Sequence, residues 1–590
     1  MNSYRTLWPY LRRHRYRLAA GLAALLWVDF LQLMIPRVTK HAVDQLYSQT
    51  ATAVSLAWAG LTILALAATI GVFRYVWRRL ILGFSRLVEE DLRRRLYAKL
   101  LTLPPAWFMA RTTGDIMAHA TNDMEAIRMA AGLGLVALTD SFLMGAASIG
   151  FMAWINGRLT LLALIPMPLV TILTWRLGGL MHRRFRQVQE TFGGMTGVVR
   201  EYLAGIRVIQ AHGREDLALA DLDRVGRRYV SENVRLTRVS GAFFPLMIMF
   251  TNVSLALVLF FGGRMTIFST ISPGDFVAFI SYLGLLTWPM MALGWMMDLI
   301  QRGAASLDRL NRILEQKPEI RDPDQPQDLI EPFGAVTARG LTFAYPGRPE
   351  PVLRDLELVC PAGQVTAIVG PIGAGKSTLL NLIPRLFDPP AGTLFLDGRE
   401  VGRLRLSDLR GGIGYVPQDG YIFSGTMAEN IAFGRPQAGE AEIRAAAKAA
   451  QLDDEIMAFP DGYRTIVGER GLTLSGGQRL RLALARAILI DPPLLILDDT
   501  FAALDAEAEE KILETLAQAR TGRTTIIVSH RLTSLKSAAL IHVLENGRVT
   551  ESGGIEELLA RGGYFAHLYH LQSAWLEGLD NHQPLAAGQV

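Results

Sequence analysis

Residues 370–378 combine glycines, a lysine and two hydroxyl side chains at a spacing that can hold phosphate groups. The segment reads GPIGAGKST, follows the apolar run VTAIV and precedes the apolar run LLNLIPRLF. Its glycines would let backbone N–H groups close around phosphate oxygens, and the start of the following helix would add positive potential. These glycines are Gly370, Gly373 and Gly375. Lys376 would reach the outer phosphates and Ser377 would bind Mg²⁺, with Thr378 as a further nucleotide contact.

Two adjacent aspartates, Asp498 and Asp499, follow another apolar run, LLIL. The run indicates a buried strand, and hydrolases with a phosphate-binding loop hold Mg²⁺ by a carboxylate at the end of such a strand. We therefore assign Asp498 to the metal. Asp499 then occupies the place of a catalytic base or a water-positioning residue, so the sequence predicts hydrolysis of a nucleotide.

A second segment that can hold phosphate, LSGGQ, occupies residues 474–478 and opens an amphipathic helix. Its small and polar residues stand where helical N–H groups can bind an anion. They are Ser475, Gly476, Gly477 and Gln478. One polypeptide cannot easily wrap both segments around one nucleotide, whereas two such domains arranged head to tail could enclose two nucleotides.

The composition indicates a membrane half followed by a soluble half. Of the 590 residues, 50% are hydrophobic, and the mean hydropathy of +0.24 is high for a soluble protein. Long apolar runs fill residues 1–300, and residues 330–580 have ordinary soluble composition. The single cysteine, Cys360, excludes an internal disulfide framework and is interpreted as a small buried hydrophobe. The net charge of +5 is modest, so nucleic acid is not expected as a partner.

Six apolar segments are each long enough to be a membrane-spanning helix, which needs about 20 residues. They are residues 17–36, 54–82, 131–156, 159–180, 241–268 and 275–300. The long linkers 83–130 and 181–240 are rich in arginine, so both are predicted to be cytosolic, together with the N-terminus and the soluble half. The N-terminal span is longer than a signal-peptide core, and we interpret it as a mature helix.

Two acids lie inside the predicted spans, Asp29 in the first and Asp140 in the third. A carboxylate in a membrane is costly and usually marks a pathway or a partner; the alternative is a hydrogen bond to a neighbouring helix. The sixth span is rich in methionine and tryptophan, which suits an adaptable apolar cavity. Simple helix packing explains that composition equally well.

Together, the spans, the phosphate-binding loop and LSGGQ resemble an ABC half-transporter of the exporter type, from residue 1 to about 575. The resemblance implies a membrane domain of six helices plus an α/β ATP-binding domain, with ATP and Mg²⁺ as cofactors. The predicted divisions are a membrane domain 1–315 with cytosolic coupling loops near 105–125 and 200–216, a linker 316–334, an ATP-binding domain 335–575 and a disordered tail 576–590.

The resemblance also implies roles for single residues. Tyr345 would stack on adenine, and His530 would contact the γ-phosphate. Gln418 would lie near Mg²⁺ as a third metal-site residue beside Ser377 and Asp498. Asp505 would cross to the partner, Glu469 would contact the membrane domain, and coupling helices are expected near Gly114–Asp115 and Gly205–Ile206.

One position departs from the family pattern. The residue after the metal-binding aspartate is normally the catalytic glutamate, and here it is Asp499, one methylene shorter. The following residues, Thr500, Phe501 and Ala502, also depart. This combination resembles the half of a heterodimeric exporter that has a weakened catalytic base but an intact LSGGQ. The alternative is an active homodimer that tolerates the aspartate.

The predicted function is ATP-driven export of a hydrophobic or amphipathic substrate, together with a second homologous half and membrane lipid. An ATP-gated regulator or channel subunit is the alternative, because fold alone does not exclude it. A soluble DNA-associated ATPase is excluded by the apolar spans. A bacterial inner membrane is the expected location, and an organelle membrane is the alternative.

Overall fold

The computed structural model describes residues 6–329, 332–468 and 474–580. Packing divides the chain into two compact units. Residues up to 101 and residues 113–316 belong to a helical unit, and residues 102–112 and those from 317 onward belong to a mixed unit of helices and strands. A helical unit joined to an α/β unit is the fold class that the sequence predicts.

Long helices make up most of the first half of the chain. In chain order they are α1 (Trp8–Arg13), α2 (Arg15–Tyr47), α3 (Ala53–Trp77), α4 (Gly83–Leu100), α5 (Pro105–Met109), α6 (Thr113–Ala118), α7 (Met124–Met129), α8 (Leu135–Ile155), α9 (Gly157–Leu164), α10 (Met167–Ala204), α11 (Ile206–Ala211), α12 (Glu215–Leu257), α13 (Gly263–Ile267) and α14 (Pro273–Leu314). Wider π-helical turns continue some of them, at Arg78–Leu82, His119–Asp123, Ala130–Gly134 and Val258–Gly262.

Among the described residues, four helical segments are long and apolar enough to cross a membrane. They are Arg15–Tyr47, Ala53–Leu100, Thr113–Ile155 and Ile248–Ile267. These four contain the first and second predicted spans and overlap the third and the fifth. The predicted fourth span, 159–180, is instead divided between α9 and α10, because Pro166 follows α9 and α10 begins only at Met167. The predicted sixth span lies within α14.

Side-chain caps fix where two of the apolar helices begin. Thr52 accepts a hydrogen bond from the Ser55 N–H at the start of α3, and Ser55 accepts one from Thr52 in return. Ser272 and Asp275 form the same reciprocal pair at the start of α14, whose first residue is Pro273. Such caps satisfy N–H groups that the first helical turn leaves unpaired.

A continuous apolar core joins α2, α8 and α14 in the helical unit. Tyr282 of α14 is 1% exposed, and its hydroxyl donates to the Leu33 carbonyl of α2 at 2.9 Å. Its ring stacks on Phe151 of α8 with centroids 5.2 Å apart. About two turns nearer the start of α14, Lys40 of α2 forms an ion pair with Asp275. These contacts hold three of the apolar helices together as one bundle.

The mixed unit contains two larger sheets and a short strand pair. Its strands are β1 (Val336–Phe343), β2 (Leu353–Cys360), β3 (Val365–Val369), β4 (Leu394–Leu396), β5 (Arg399–Glu400), β6 (Ile413–Val416), β7 (Gly425–Thr426), β8 (Ile466–Val467), β9 (Leu494–Asp498), β10 (Thr524–Val528), β11 (Leu540–Glu545) and β12 (Arg548–Gly553). The antiparallel sheet has the order β2-β1-β4-β5, and β7 pairs with β8.

The larger sheet has the order β12-β11-β3-β10-β9-β6, and all neighbours except β11 and β12 are parallel. Every residue of β9 and β10 is buried, which is the burial expected for a parallel sheet covered on both faces. In such sheets ligands bind beyond the carboxyl ends of the strands. The loops after β3 and β9 leave the sheet at that edge.

Helices cover the sheets of the mixed unit. They are α15 (Lys376–Leu382), α16 (Leu406–Gly411), α17 (Met427–Ile431), α18 (Glu440–Ala449), α19 (Asp453–Ala458), α20 (Gly476–Leu489), α21 (Ala506–Ala519), α22 (Leu532–Lys536), α23 (Ile555–Arg561) and α24 (Tyr564–Asp580). Helix α24 continues to Asp580, so the tail predicted to be disordered from residue 576 begins as helix. Residues 581–590 lie outside the described part of the chain.

The helix α5 packs with the mixed unit, although the predicted boundaries place it in the membrane domain. The sequence places residues 1–315 in that domain, but residues 102–112, which include α5, pack as part of the mixed unit. Ala106 contacts the apolar core beneath the antiparallel sheet, and Trp107 is 6% exposed. Apolar side chains are buried wherever they find a core, and here the core belongs to the mixed unit.

Candidate nucleotide-binding site

The loop between β3 and α15 has a backbone that requires glycine at two places. Gly370 has φ +149°, and a Cβ there would lie 1.9 Å from the Leu544 carbonyl oxygen. Gly375 has φ +102° and stands immediately before α15, where a Cβ would lie 2.8 Å from the Leu353 side chain. Gly373, between them, also has a positive φ of +83°. Positive φ without a side chain allows the close, N–H-lined turn that a phosphate group needs.

Lys376 is the first residue of α15 and lies against this loop. Its side chain is largely buried, and Nζ donates to the carbonyl oxygens of Gly370 at 2.7 Å and Pro371 at 2.9 Å. Burial lowers the pKa of the ammonium group, while the charges of Asp499 and Asp498 raise it. The lysine therefore lies between the loop and both aspartates, as a phosphate-binding cation should.

Asp498 ends β9 and is 3% exposed. The Ser377 hydroxyl donates to its Oδ1 at 3.1 Å, so the two predicted metal ligands are adjacent. Burial raises the pKa of Asp498, and the Ser377 hydrogen bond opposes that shift, whereas Asp499 and Asp419 add to it. Among the described residues no group of three or more His, Cys, Asp and Glu side chains could hold a metal ion. A hydroxyl and one carboxylate fit Mg²⁺, which takes its other ligands from phosphate and water.

Asp499 adopts the left-handed backbone conformation, with φ +47°. Its N–H donates to the Val528 carbonyl of β10 at 3.0 Å, and its side chain is half-buried. Burial raises the pKa of its carboxyl, while the charges of His530, Lys376 and Arg531 lower it. Aspartate and asparagine tolerate this conformation better than longer side chains do. The local backbone thus favours the short acid.

His530 follows β10 and is half-buried beside Asp499 and Lys376. Burial and the Lys376 charge lower the pKa of the imidazole, and Asp499 raises it. The backbone around His530 is held by Gln572 of α24: its Nε2 donates to the His530 carbonyl at 2.5 Å, and its Oε1 accepts from the Leu532 N–H at 3.1 Å.

The LSGGQ segment forms the start of α20 as the sequence predicts. Ser475 caps the helix by accepting from the Gln478 N–H at 3.2 Å, and Gln478 Oε1 accepts from the Ser475 N–H at 2.9 Å. A Cβ on Gly477 would approach the Ala503 carbonyl oxygen to 3.1 Å, so this helix start packs closely on the loop after β9. Gly476 also faces that loop, since a Cβ there would lie 3.6 Å from the Ala503 side chain.

Three further predicted residues lie at defined positions, and their assigned roles stay predictions. Tyr345 donates its hydroxyl to Thr378 at 3.0 Å, and its ring packs edge-on against Phe387. Gln418 is exposed on the turn after β6. Asp505 caps α21 by accepting from the Ala508 N–H at 2.7 Å. Glu469 lies outside the described residues.

The structure brings one group of predicted residues together and leaves the other apart. Lys376, Ser377, Asp498, Asp499 and His530 lie at the carboxyl edge of the parallel sheet. Among the described residues, no hydrogen bond or ion pair joins LSGGQ to the loop 370–378; Gln478 instead donates to Glu455 at 2.8 Å. One chain therefore shows two separate half-sites, as expected if a second domain completes each.

Sequence reasoning missed a buried network next to the site. Glu509 of α21 is fully buried; it accepts from Arg531 at 2.8 Å and also from Ser534. Arg531 also donates to the carbonyl oxygens of Leu504 at 2.7 Å and Ala502 at 3.2 Å. The available signal was the amphipathic pattern of α21, which places Glu509 on the buried face. No local sequence pattern indicates the role of Gln572, because the residues that it contacts are about 40 positions away in the sequence.

The predicted intramembrane acids face each other within the helical unit. Asp29 is 2% exposed, lies against Asp140 and has Arg74 in its neighbourhood. The Oδ2 atom of Asp29 has no hydrogen-bond partner in the described part of the chain. The sixth-span methionines and tryptophans are mixed in exposure: Trp288 and Met297 are exposed and Met296 is buried. The side chains of Met290, Met291 and Trp295 lie outside the description.

The predicted coupling segments occupy short helices. Gly114 and Asp115 lie in α6, which is part of the helical unit, and α5 precedes it in the mixed unit. Gly205 precedes α11, on which Ile206 and Val208 are exposed. The coupling role of both segments stays a prediction.

Comparison with known proteins identifies the chain. The family model "ABC transporter transmembrane region" matches residues 18–290, and the model "ABC transporter" matches residues 353–502. The chain belongs to the ABC transporter family. This assignment gives the helical unit its function as the transmembrane domain and the mixed unit its function as the ATP-binding domain of an ATP-driven exporter.

Curated relatives cover nearly the full length of this ABC transporter. It is 36% identical to the multidrug resistance-like ATP-binding protein MdlA of Escherichia coli, with 95% of each chain covered. It is 33% identical to an ATP-dependent lipid A-core flippase of Thiobacillus denitrificans, with 96% of this chain and 98% of the relative covered.

A solved structure resembles the whole chain as well. A bacterial Atm1-family ABC exporter with ATP bound superimposes with a TM-score of 0.78 at 28% identity, covering 95% of this chain and 98% of that one. The relatives and this structure are consistent with a bacterial integral membrane protein that couples ATP hydrolysis to transport.

Proposed function

We propose that this chain is one half of a heterodimeric ABC exporter whose own ATP site is slow and whose second site is competent. Asp499 carries the proposal, because it stands where the family resemblance implies glutamate. Its side chain is one methylene shorter than that of glutamate, and its backbone is in the left-handed conformation. Since a misplacement of about 1 Å can slow a reaction on the order of a hundredfold, this acid would activate water poorly.

This chain would supply the phosphate-binding and metal-binding side of its own ATP site. Backbone N–H groups of the loop 370–375 and Lys376 would hold the phosphates. Ser377 and Asp498, 3.1 Å apart, would hold Mg²⁺, which neutralises phosphate charge when bound, with Gln418 nearby. Tyr345 would stack on adenine and His530 would bind the γ-phosphate. A site that binds well and hydrolyses slowly retains its nucleotide.

The LSGGQ segment of this chain would complete the second half's site. The helix start is capped by Ser475, and its first N–H groups could bind a phosphate of the nucleotide held by the second half. Asp505 follows the loop on which Gly477 packs and would contact the partner there. The second half is expected to have the catalytic glutamate, so the two pockets of the dimer differ.

Transport would follow from closure of the two ATP-binding domains over nucleotide. The packing of Ala106 of α5 on the core of the ATP-binding domain supports a mechanical link, because α5 follows α4 and precedes α6 in the chain, and both belong to the transmembrane domain. A cavity in the membrane would then switch from inward-facing to outward-facing, and hydrolysis at the competent site would reset it.

The proposed substrate is a hydrophobic or amphipathic molecule. Two observations support it: exposed Trp288 and Met297 on α14, and relatives described as a multidrug resistance-like protein and a lipid A-core flippase. Membrane lipid would surround the apolar helices. The proposed location is the bacterial inner membrane, with the N-terminus and the ATP-binding domain in the cytoplasm.

The test is a comparison of two variants in the purified pair, reconstituted in vesicles with a fluorescent amphipathic dye. Asp499→Ala should leave most of the ATP turnover and dye accumulation intact, and replacing the second half's catalytic glutamate by alanine should abolish both. Lys376→Ala is the control for loss of ATP binding in this chain. Equal losses of ATP turnover in the two acid variants would refute the proposal that the two ATP sites differ, and would favour a dimer with equivalent sites.

A further inference from the structure

The C-terminal helix α24 contacts the segment that carries His530. The side-chain amide of Gln572 donates to the His530 carbonyl at 2.5 Å and accepts from the Leu532 N–H at 3.1 Å. Both backbone groups belong to residues that flank Arg531. A glutamine amide can make this pair of bonds because it has one donor end and one acceptor end.

The other side of the same segment is fixed by α21 and the loop before it. Arg531 forms an ion pair with buried Glu509 at 2.8 Å and donates to the Leu504 carbonyl at 2.7 Å. Ser534 donates to the second oxygen of Glu509. The backbone from His530 to Ser534 is thus held from two sides, by α21 through Arg531 and by α24 through Gln572.

The position of the His530 imidazole depends on this backbone. The ring lies close enough to Lys376 and Asp499 for both charges to shift its pKa, with burial as the largest effect. It is itself only half-buried, so packing alone does not fix it. A short backbone displacement at His530 would move the imidazole relative to the phosphate-binding loop.

We propose that Gln572 is a positioning residue of the ATP site, whose amide fixes the backbone of His530 and thereby the distance from its imidazole to the γ-phosphate. The inference rests on the role proposed above for His530. The C-terminal helix then contributes to nucleotide recognition without touching nucleotide. Because the γ-phosphate is the group concerned, discrimination between ATP and ADP should depend on Gln572, whereas binding of ADP should not.

The experiment measures binding of AMP-PNP, a non-hydrolysable ATP analogue, and of ADP to the full-length chain with Mg²⁺. The variants are Gln572→Leu, which removes both hydrogen bonds at similar volume, and Gln572→Glu, which keeps only acceptors. His567→Gln, at an exposed position of α24, is the matched control. His530→Ala alone and combined with Gln572→Leu completes a double-mutant cycle.

We expect both Gln572 variants to weaken AMP-PNP binding about three- to tenfold. This is the effect of weakening one hydrogen bond, here the proposed one between the His530 imidazole and the γ-phosphate. ADP affinity should stay unchanged, and His567→Gln should match the unmodified chain. His530→Ala should show the same selective loss, and adding Gln572→Leu to it should cause no further change. Hydrogen exchange at the Leu532 amide should be faster in Gln572→Leu than in the control.

Each other outcome has a distinct meaning. Selective loss in His530→Ala with full AMP-PNP affinity in Gln572→Leu overturns the positioning role and leaves the proposed role of His530 intact. Equal weakening of AMP-PNP and ADP by Gln572→Leu shows a general structural defect and also overturns it. Unchanged exchange at Leu532 shows that the contact is not made in solution. No selective loss in His530→Ala overturns the role proposed for His530, and the inference falls with it.

Discussion

The Ser377 hydroxyl donates to Oδ1 of Asp498 across 3.1 Å, which joins the start of α15 to the end of β9. The helix α15 follows β3, and β10 lies between β3 and β9 in the sheet. The contact therefore depends on the strand order β3-β10-β9. The fold therefore brings together the hydroxyl and the carboxylate that we propose as Mg²⁺ ligands.

Replacing Asp498 should remove the response of this site to Mg²⁺. Asp498→Asn keeps the size of the side chain and its contact with Ser377, but it removes the negative charge that holds the cation. We expect the affinity of this site for Mg²⁺ to fall about tenfold or more. ATP affinity should then respond little to added Mg²⁺. The matched control is Asp419→Asn, since Asp419 is an exposed neighbouring acid. A similar Mg²⁺ response in both variants would contradict the assignment of Asp498.

Gly370 should not tolerate a side chain. In Gly370→Ala the new Cβ would meet the Leu544 carbonyl at 1.9 Å, and the backbone at φ +149° is itself unfavourable for alanine. We expect loss of nucleotide binding measured by equilibrium dialysis. Gly398→Ala is the control, because that glycine also has positive φ, +75°, but open space around it. Binding by Gly370→Ala equal to that control would show that the loop is not packed as described.

The ion pair between Arg531 and the buried carboxylate of Glu509 should stabilise the ATP-binding domain. Glu509 is fully buried, so Arg531→Ala leaves a buried carboxylate whose remaining side-chain partner, within the described part of the chain, is Ser534. Breaking such a pair from one side costs about 3 kcal/mol or more in unfolding free energy. Adding Glu509→Gln removes the charge and should recover part of the loss in thermal unfolding. If the double variant is as unstable as Arg531→Ala, the carboxylate charge is not the cause.

The ionisation of Asp499 should oppose folding. Burial raises its pKa in the folded state above the value of about 3.9 found in unfolded chains. The folded protein thus binds this proton more tightly, and the cost of the buried charge is present above the folded pKa and disappears as pH falls through it. Asp499→Asn should therefore melt at a higher temperature than the unmodified chain at about pH 7, with the gain shrinking towards about pH 4. Exposed Asp454→Asn should show no such gain.

Local patterns predict much of this site because its chemistry depends on short segments. The glycines of 370–375, Lys376 and Ser377 are contiguous, and LLIL before Asp498 is a buried strand as expected. A phosphate-binding loop needs only a strand, a turn and a helix, which are visible in the sequence. The cap that Ser475 makes with Gln478 is equally local.

Contacts between segments that are distant in the sequence could not be predicted from it. Gln572 reaches His530 across the fold, and Glu509 pairs with Arg531, because packing and not spacing brings these residues together. The division of the fourth predicted span between α9 and α10 was not predicted either, because its hydropathy is continuous while α9 ends before Pro166. Residues 102–112 were assigned by chain order, although their apolar side chains are buried with the ATP-binding domain.

The central claim is that the shortened acid makes this chain's own site slow, and ATP turnover of the chain purified alone tests it most directly. Glutamate restores the missing methylene, so Asp499→Glu should raise turnover, by up to on the order of a hundredfold. Fast turnover by the unmodified chain, with no gain from Asp499→Glu, would contradict the account and identify a homodimer in which aspartate suffices.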